Sequence, residues 1–288
     1  VDKQAGNVEI AEKTITTGSL GGLLSFRSQD LDNAQNQLGQ LAAAFTTNFN
    51  TVHKEGYDST GAEGVDFFNI GSPTTTSNSK NGSTATVTAA WSDTSKLQAT
   101  NYTVSYDSGT WSVTRMSDNT KFTVTPDASD GTLNFDGLKL TVTGTPDNKD
   151  SFLVKPVQNV ISGMSVAITN ESQIAAASTA TSGESDNRNA QKLLDLQNAK
   201  LVNGNATISQ AYASLVGTVG NKTNTLETAS DTQKNVVTQL SNRQQSVSGV
   251  NLDEEYANLS KYQQFYMANA QVLQTANTIF NALIGIRG

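Results

Sequence analysis

Residues 250–287 read VNLDEEYANLSKYQQFYMANAQVLQTANTIFNALIGIR. Large side chains recur there every seven residues, at Leu252, Leu259, Tyr266, Leu273 and Phe280. Tyr262, Ala276 and Leu283 each follow a member of that row by three residues, and Asn269 interrupts the second row. The stretch has no Pro and no Gly before Gly285. This is the pattern of a helix with an apolar seam drawn for another helix. About 37 residues at 1.5 Å each make a helix of roughly 55 Å, too long for one small core. The carboxylates Asp253, Glu254 and Glu255 suit the positive end of a helix dipole, so an acidic catalytic cluster is not needed to explain them.

Upstream, a second seam runs with strict four-three spacing. It comprises Ile208, Tyr212, Leu215, Val219, Lys222, Leu226, Ala229, Gln233, Val236, Leu240, Arg243 and Val247. The apolar members Ile208, Tyr212, Leu215, Val219, Leu226, Val236 and Leu240 mark a long bundle or coiled-coil helix, with Lys222 and Gln233 as register-setting polar positions. Gly217, Gly220 and Gly249 lower helix propensity, and Gly249 reads as a joint before the terminal helix. Near the start, Leu24, Leu31, Leu38, Phe45 and Val52 repeat every seven residues, predicting a helix from Leu23 to about His53 that stops at Gly56. A shorter helix is expected from a cap at Asp186 through Gln197.

Between these helices the period changes to two. Tyr102-Val104-Tyr106, a turn at residues 107–110 and Trp111-Val113 form a hairpin with aromatics on one face. Ala85 to Trp91, Phe122-Val124, Leu133-Phe135, Leu138 to Val142 and Phe152-Val154 continue the alternation, so residues 84–156 read as a compact antiparallel β domain. Thr74–Ser83 reads as a polar linker, Asn7–Ile15 as one or two short strands, and 157–174 fits a strand or a short helix.

The chain has 19 Lys plus Arg against 26 Asp plus Glu, a formal charge of −7, which disfavours nucleic acid and anionic membranes as partners. Absence of Cys removes disulfides, thiolate metal sites and thiol nucleophiles, and the single His53 removes multi-histidine sites. His53 is read as a solvent-exposed helix end. Asp127, Asp130 and Asp136 miss the spacing of a Ca²⁺ loop and are explained by turns. No phosphate-binding motif and no long apolar run occurs, so neither catalysis, nor a cofactor, nor a metal, nor membrane insertion is expected. The aromatics Trp91, Trp111, Tyr102 and Tyr106 could instead make a carbohydrate platform, and an adhesin-like β domain on a helical stalk is the alternative function. The opening residue is Val1 rather than Met, so a piece of a longer chain is expected.

The stretch from Ser248 to Arg287 resembles the C-terminal signature of the bacterial flagellar rod, hook and hook-associated family. VNLDEEYANL followed by YQQFYMANAQVLQTAN is similar to the version in first junction proteins between hook and filament. Residues 19–42, 65–71, 185–197 and 212–223 are similar to the same family. The resemblance implies an α+β multidomain rod: long heptad-patterned helices, in a bundle or coiled coil, with an inserted antiparallel β domain. It also implies an N-terminal helical half that is missing here. The expected division is 1–60 (short strand, then long helix), 61–174 (β domain with flanking linkers), 175–249 (helical domain) and 250–288 (terminal assembly helix). The resemblance implies a structural subunit of the extracellular flagellum, exported unfolded through the flagellar secretion apparatus. Its implied partners are copies of itself in a ring or tube, the hook protein, the next junction protein, and a cytosolic export chaperone on the C-terminal helix. A flagellin-like axial protein is the alternative within the class.

Overall fold

Polar residues make the buried face of the first long helix. In the computed structural model, which describes residues 14–182, 185–248 and 251–285, α1 (Gly18–Ser25) continues into α2 (Asp32–Lys54) through a π-helical turn, Phe26–Leu31. The wider π turn shifts the phase of everything that follows it, so Leu24 and Leu31 no longer stack. Leu31 and Leu38, on the row of seven-residue spacing, are exposed. The buried stripe is Asn36, Gly39, Gln40, Ala43, Thr46, Asn50 and His53, with Ala44 and Leu41 beside it. The helix is where the sequence put it, but a different side of it faces inward.

Gln40, Asn50 and His53, buried on α2, each hydrogen-bond the main chain of a neighbouring segment. Gln40 Nε2 donates to the Leu97 carbonyl. Asn50 Nδ2 donates to Phe68 O at 2.8 Å, while its Oδ1 accepts from the N–H groups of Phe67 and Phe68 at 3.0 and 2.9 Å. Its side chain thereby pairs with the loop as a strand edge would. His53, expected at a solvent-exposed helix end, is fully buried instead. Its Nδ1 donates to Val65 O at 2.6 Å and its Nε2 accepts from Ala175 N–H at 3.0 Å. Such satisfied burial is what makes polar residues tolerable in an interior.

The β region consists of β1 (Phe68–Asn69), β2 (Thr74–Ser77), β3 (Thr86–Trp91), β4 (Tyr102–Asp107), β5 (Thr110–Arg115), β6 (Lys121–Val124), β7 (Leu133–Phe135), β8 (Leu138–Thr143), β9 (Ser151–Lys155) and β10 (Ser165–Val166). All pairs are antiparallel: a five-stranded sheet in the order β2-β9-β4-β5-β6, a three-stranded sheet β3-β8-β7, and the short pair β1-β10. The hairpin β4–β5 turns through Ser108 and Gly109, both at positive φ, the geometry that matches strand twist. The two larger sheets share one core, built on Val87, Leu97, Tyr102, Val104, Trp111, Leu138, Leu140 and Phe152. Thr74–Ser83 is not wholly a linker, because its first four residues are β2, registered on β9 from Thr74↔Lys155 to Ser77↔Phe152. The stretch 157–174 holds β10 and a short 3-10 turn, not a helix.

Helix α3 spans Arg188–Asp195, and a three-residue turn, Asn203, Gly204 and Asn205, closes a bridge between Val202 and Ala206. Asp186 lies one residue before the α3 cap and accepts from Arg188 N–H at 3.1 Å. Helix α4 (Ile208–Ser248) opens on a reciprocal cap: Thr207 N–H donates to Gln210 Oε1 and Gln210 N–H to Thr207 Oγ1. Leu41, Ala44, Leu201, Val202 and Leu215 form a second small core there. Two compact units divide the chain, residues 1–221 and 222–288, so the first ends within the 175–249 range expected as one helical domain. The expected strand at Asn7–Ile15 lies, up to residue 13, outside the described residues, as do Gly249, Val250 and Arg287.

Candidate assembly surface

Helix α5 (Leu252–Gly285) is 34 residues long with Asp253, Glu254 and Glu255 in its first turn. Asn251 Oδ1 accepts from Asp253 N–H at 3.2 Å, so an Asx cap and an acidic turn set the start of the helix. Beyond that turn, the only charged side chain from Ser260 to Gly285 is Lys261. Every large apolar residue of the helix is exposed, from Leu252 at 79% and Tyr266 at 78% to Phe265 at 52%. No core cluster among the described residues includes a side chain beyond Leu215. An apolar surface of this extent is unusual on a monomer and makes α5 the candidate interaction surface.

The residues singled out in sequence fall on this surface. Leu252, Leu259, Tyr266, Leu273 and Phe280 form one row, with Tyr262, Ala276 and Leu283 on the adjoining one, and all are exposed. A third row went unread: Phe265, Val272 and Ile279, again seven apart and exposed. Period-seven counting at one further heptad position would have found it. The three rows widen the apolar face beyond a two-helix seam, toward the width of a helix packed on more than one side. Tyr262 and Phe265 meet edge to face at 6.4 Å between centroids, and Lys261 Nζ lies 5.7 Å from the Phe265 ring.

The α4 seam divides. Ile208 packs against the second core and Leu215 is 8% exposed, both in the first unit. Tyr212 and Val219 are exposed in that unit, and Leu226, Val236 and Leu240 are exposed in the second.

The other candidates resolve into structure. Tyr102 and Trp111 are core residues, and Trp91 Nε1 donates to Pro156 O at 3.0 Å, so no aromatic platform is presented. Tyr102 Oη donates to Asp136 Oδ2 at 2.8 Å, and Arg115 grips both oxygens of the same carboxylate at 2.8 and 2.9 Å, tying one sheet to the turn of the other. Burial and that carboxylate push the Tyr102 phenol well above its ordinary value. Lys139 and Thr132 hold Asp130 down to about 2, and Arg188 holds Asp186 far below the carboxylate range. Both are loop anchors. Among the described residues, no group of three or more His, Asp or Glu could hold a metal, and no helix is long and apolar enough to cross a membrane.

Comparison with known proteins bears on what this surface serves. "Flagellar hook-associated protein FlgK helical domain" matches residues 1–68 and "Flagellar hook-associated protein 1, D2-like domain" matches 76–156. "Flagellar basal body rod FlgEFG protein C-terminal" matches 243–286, which contains α5. Along its whole length the chain is 58% identical to Flagellar hook-associated protein 1 of Salmonella typhimurium, covering 53% of it. It is 59% identical to the same protein of Escherichia coli K12, covering 52%. The chain belongs to the hook-associated protein 1 family. It spans about half the length of the curated relatives it matches. The solved structure of the flagellar hook junction protein FlgK from Burkholderia pseudomallei matches with a TM-score of 0.78 at 26% identity, covering 85% of this chain and 66% of that one. The α+β architecture of long helices and an antiparallel sheet domain is thus a property of the hook-associated protein 1 family and of this chain alike.

Proposed function

We propose that this chain is a structural subunit of the bacterial flagellum, joining hook to filament by packing of α5 against other helices, and not an enzyme. The observation that carries this reading is the bare apolar face of α5 in a chain 58% identical to Flagellar hook-associated protein 1. A helix of this length gains nothing from exposing Leu259, Tyr266, Leu273 and Phe280 in isolation, and burial against neighbours would stabilise it by about 1.5–3 kcal/mol per large side chain. Its partners in this reading are copies of the same protein in a ring or tube, the hook protein and the next junction protein. A cytosolic export chaperone covers the stripe before export through the flagellar secretion apparatus, and the final location is the extracellular hook–filament junction. Residues 61–174 are the outward β domain, 1–60 and 175–249 the helical domain, and 250–288 the assembly element.

The test places Leu273→Asp in the full-length protein, in a strain lacking the native copy. The expected result is loss of filament attachment with the protein still made and its β domain folded. Normal filaments on that variant would remove α5 from the joint.

A further inference from the structure

Four pairs in the chain put Gly after Asn or Asp: Asn81-Gly82, Asp130-Gly131, Asp136-Gly137 and Asn203-Gly204. At an Asn-Gly pair the glycine main-chain nitrogen can attack the preceding Cγ. A C–N bond forms, the amide nitrogen leaves as ammonia, and the resulting succinimide is opened by water to Asp or isoaspartate. The reaction needs a free glycine N–H and a leaving amide nitrogen that is not held elsewhere.

Asn81 is locked out of this chemistry. Its Nδ2 donates to Ser151 O at 3.1 Å, its Oδ1 accepts from Ser151 N–H at 2.9 Å, and Gly82 N–H donates to Asp150 Oδ1 at 2.8 Å. The two Asp-Gly pairs are gripped as well: Gly131 N–H bonds Asp127 O, and Asp136 is held by Arg115 and Tyr102. Asn203-Gly204 differs. Both residues are exposed, both have positive φ, and Gly204 N–H has no protein partner among the described residues. The one bond to the Asn203 side chain is from Gln40 Nε2 to its Oδ1 at 2.9 Å. A donor on that oxygen draws electron density from Cγ, as a hydrogen-bond donor does at any carbonyl under attack.

We propose that Asn203 is the spontaneous deamidation site of this chain, a self-modification that alters the hairpin seating α4. Conversion places a new carboxylate on a groove of about 450 Å³ that Arg115, Asp118, Gln40 and Gln210 also line. The isoaspartyl product inserts an extra main-chain carbon into the tight three-residue turn between Val202 and Ala206, weakening their mutual hydrogen bonds.

The experiment incubates the intact chain at mildly alkaline pH and follows Asn203 and Asn81 by peptide mass mapping with fragmentation, in buffer and in denaturing urea. In buffer, Asn203 converts at least about tenfold faster than Asn81, which must first open three hydrogen bonds. In urea the two rates converge, because both are Asn-Gly pairs. Hydrogen exchange on the converted fraction shows lost protection at Val202 and Ala206. Equal rates in the folded chain, or an Asn203 that stays intact in buffer while the unfolded chain converts, overturns the proposal.

Discussion

Helices α2 and α5 have opposite relations between polarity and burial. On α2 the inward stripe is Asn36, Gly39, Gln40, Thr46, Asn50 and His53, while Leu38 faces solvent, as does Leu31 at the end of the π turn before it. On α5 the polar positions are ordinary, but Leu252, Tyr266, Leu273 and Phe280 face solvent too. The difference is in what each helix meets. The α2 stripe meets loop main chain, whose N–H and C=O groups demand partners that Leu cannot supply. The α5 stripe meets nothing within its own unit, so the burial its apolar side chains call for is not supplied there. Hydropathy reports affinity for a surface; it does not say whether that surface lies in the same molecule.

The largest effect should come from attacking the polar stripe. Asn50→Leu strands the N–H groups of Phe67 and Phe68 and the carbonyl of Phe68, and should cost about 3 kcal/mol. Urea unfolding followed by fluorescence of Trp91 and Trp111 would measure it, and a neutral or stabilised variant would break the contrast with α5. Next is Gly39→Ala, since a Cβ there would press into the Val157 carbonyl. A loss of about 2 kcal/mol is expected even though Ala favours helix by about 1 kcal/mol.

Asp150 extends the same rule into the β region. It is buried, and Ser83, Asp147 and Gly82 donate to its carboxylate, Ser83 most strongly, holding it below the ordinary carboxylate value. A depressed folded value means stability that is full above the unfolded value of 3.8 and lost as pH falls through the folded one. Stability of the native chain should therefore drop from about pH 4 downward, with a flatter acid limb in Asp150→Asn. The smallest effect belongs to α5. Leu273→Asp should change the unfolding free energy of the isolated chain by no more than about 0.5 kcal/mol, because the side chain is already exposed. A large destabilisation would mean that the stripe is already covered within the chain.

The strands were readable because alternation and turn chemistry agree: Ser108-Gly109 and Asp136-Gly137 sit where the pattern of β4–β5 and β7–β8 breaks. Strand β2 was hidden, since Thr74 to Ser77 has no apolar member and owes its state to β9 beside it. The inward face of α2 was not legible, because the burial of Asn50 and His53 depends on loops far along the chain, including Ala175. The α5 surface was legible in two of its three rows, because a seven-residue count follows one seam at a time and passed over Phe265, Val272 and Ile279.

The near-absence of charge along α5 has a consequence for where such a joint can operate. Contacts between ions weaken as dissolved salt shortens the reach of their fields, to about 10 Å at 0.1 M and 3 Å at 1 M. A face that carries Lys261 as its one ion between Ser260 and Gly285 has almost nothing for salt to screen. Attachment through it should hold equally in dilute fresh water and in brine.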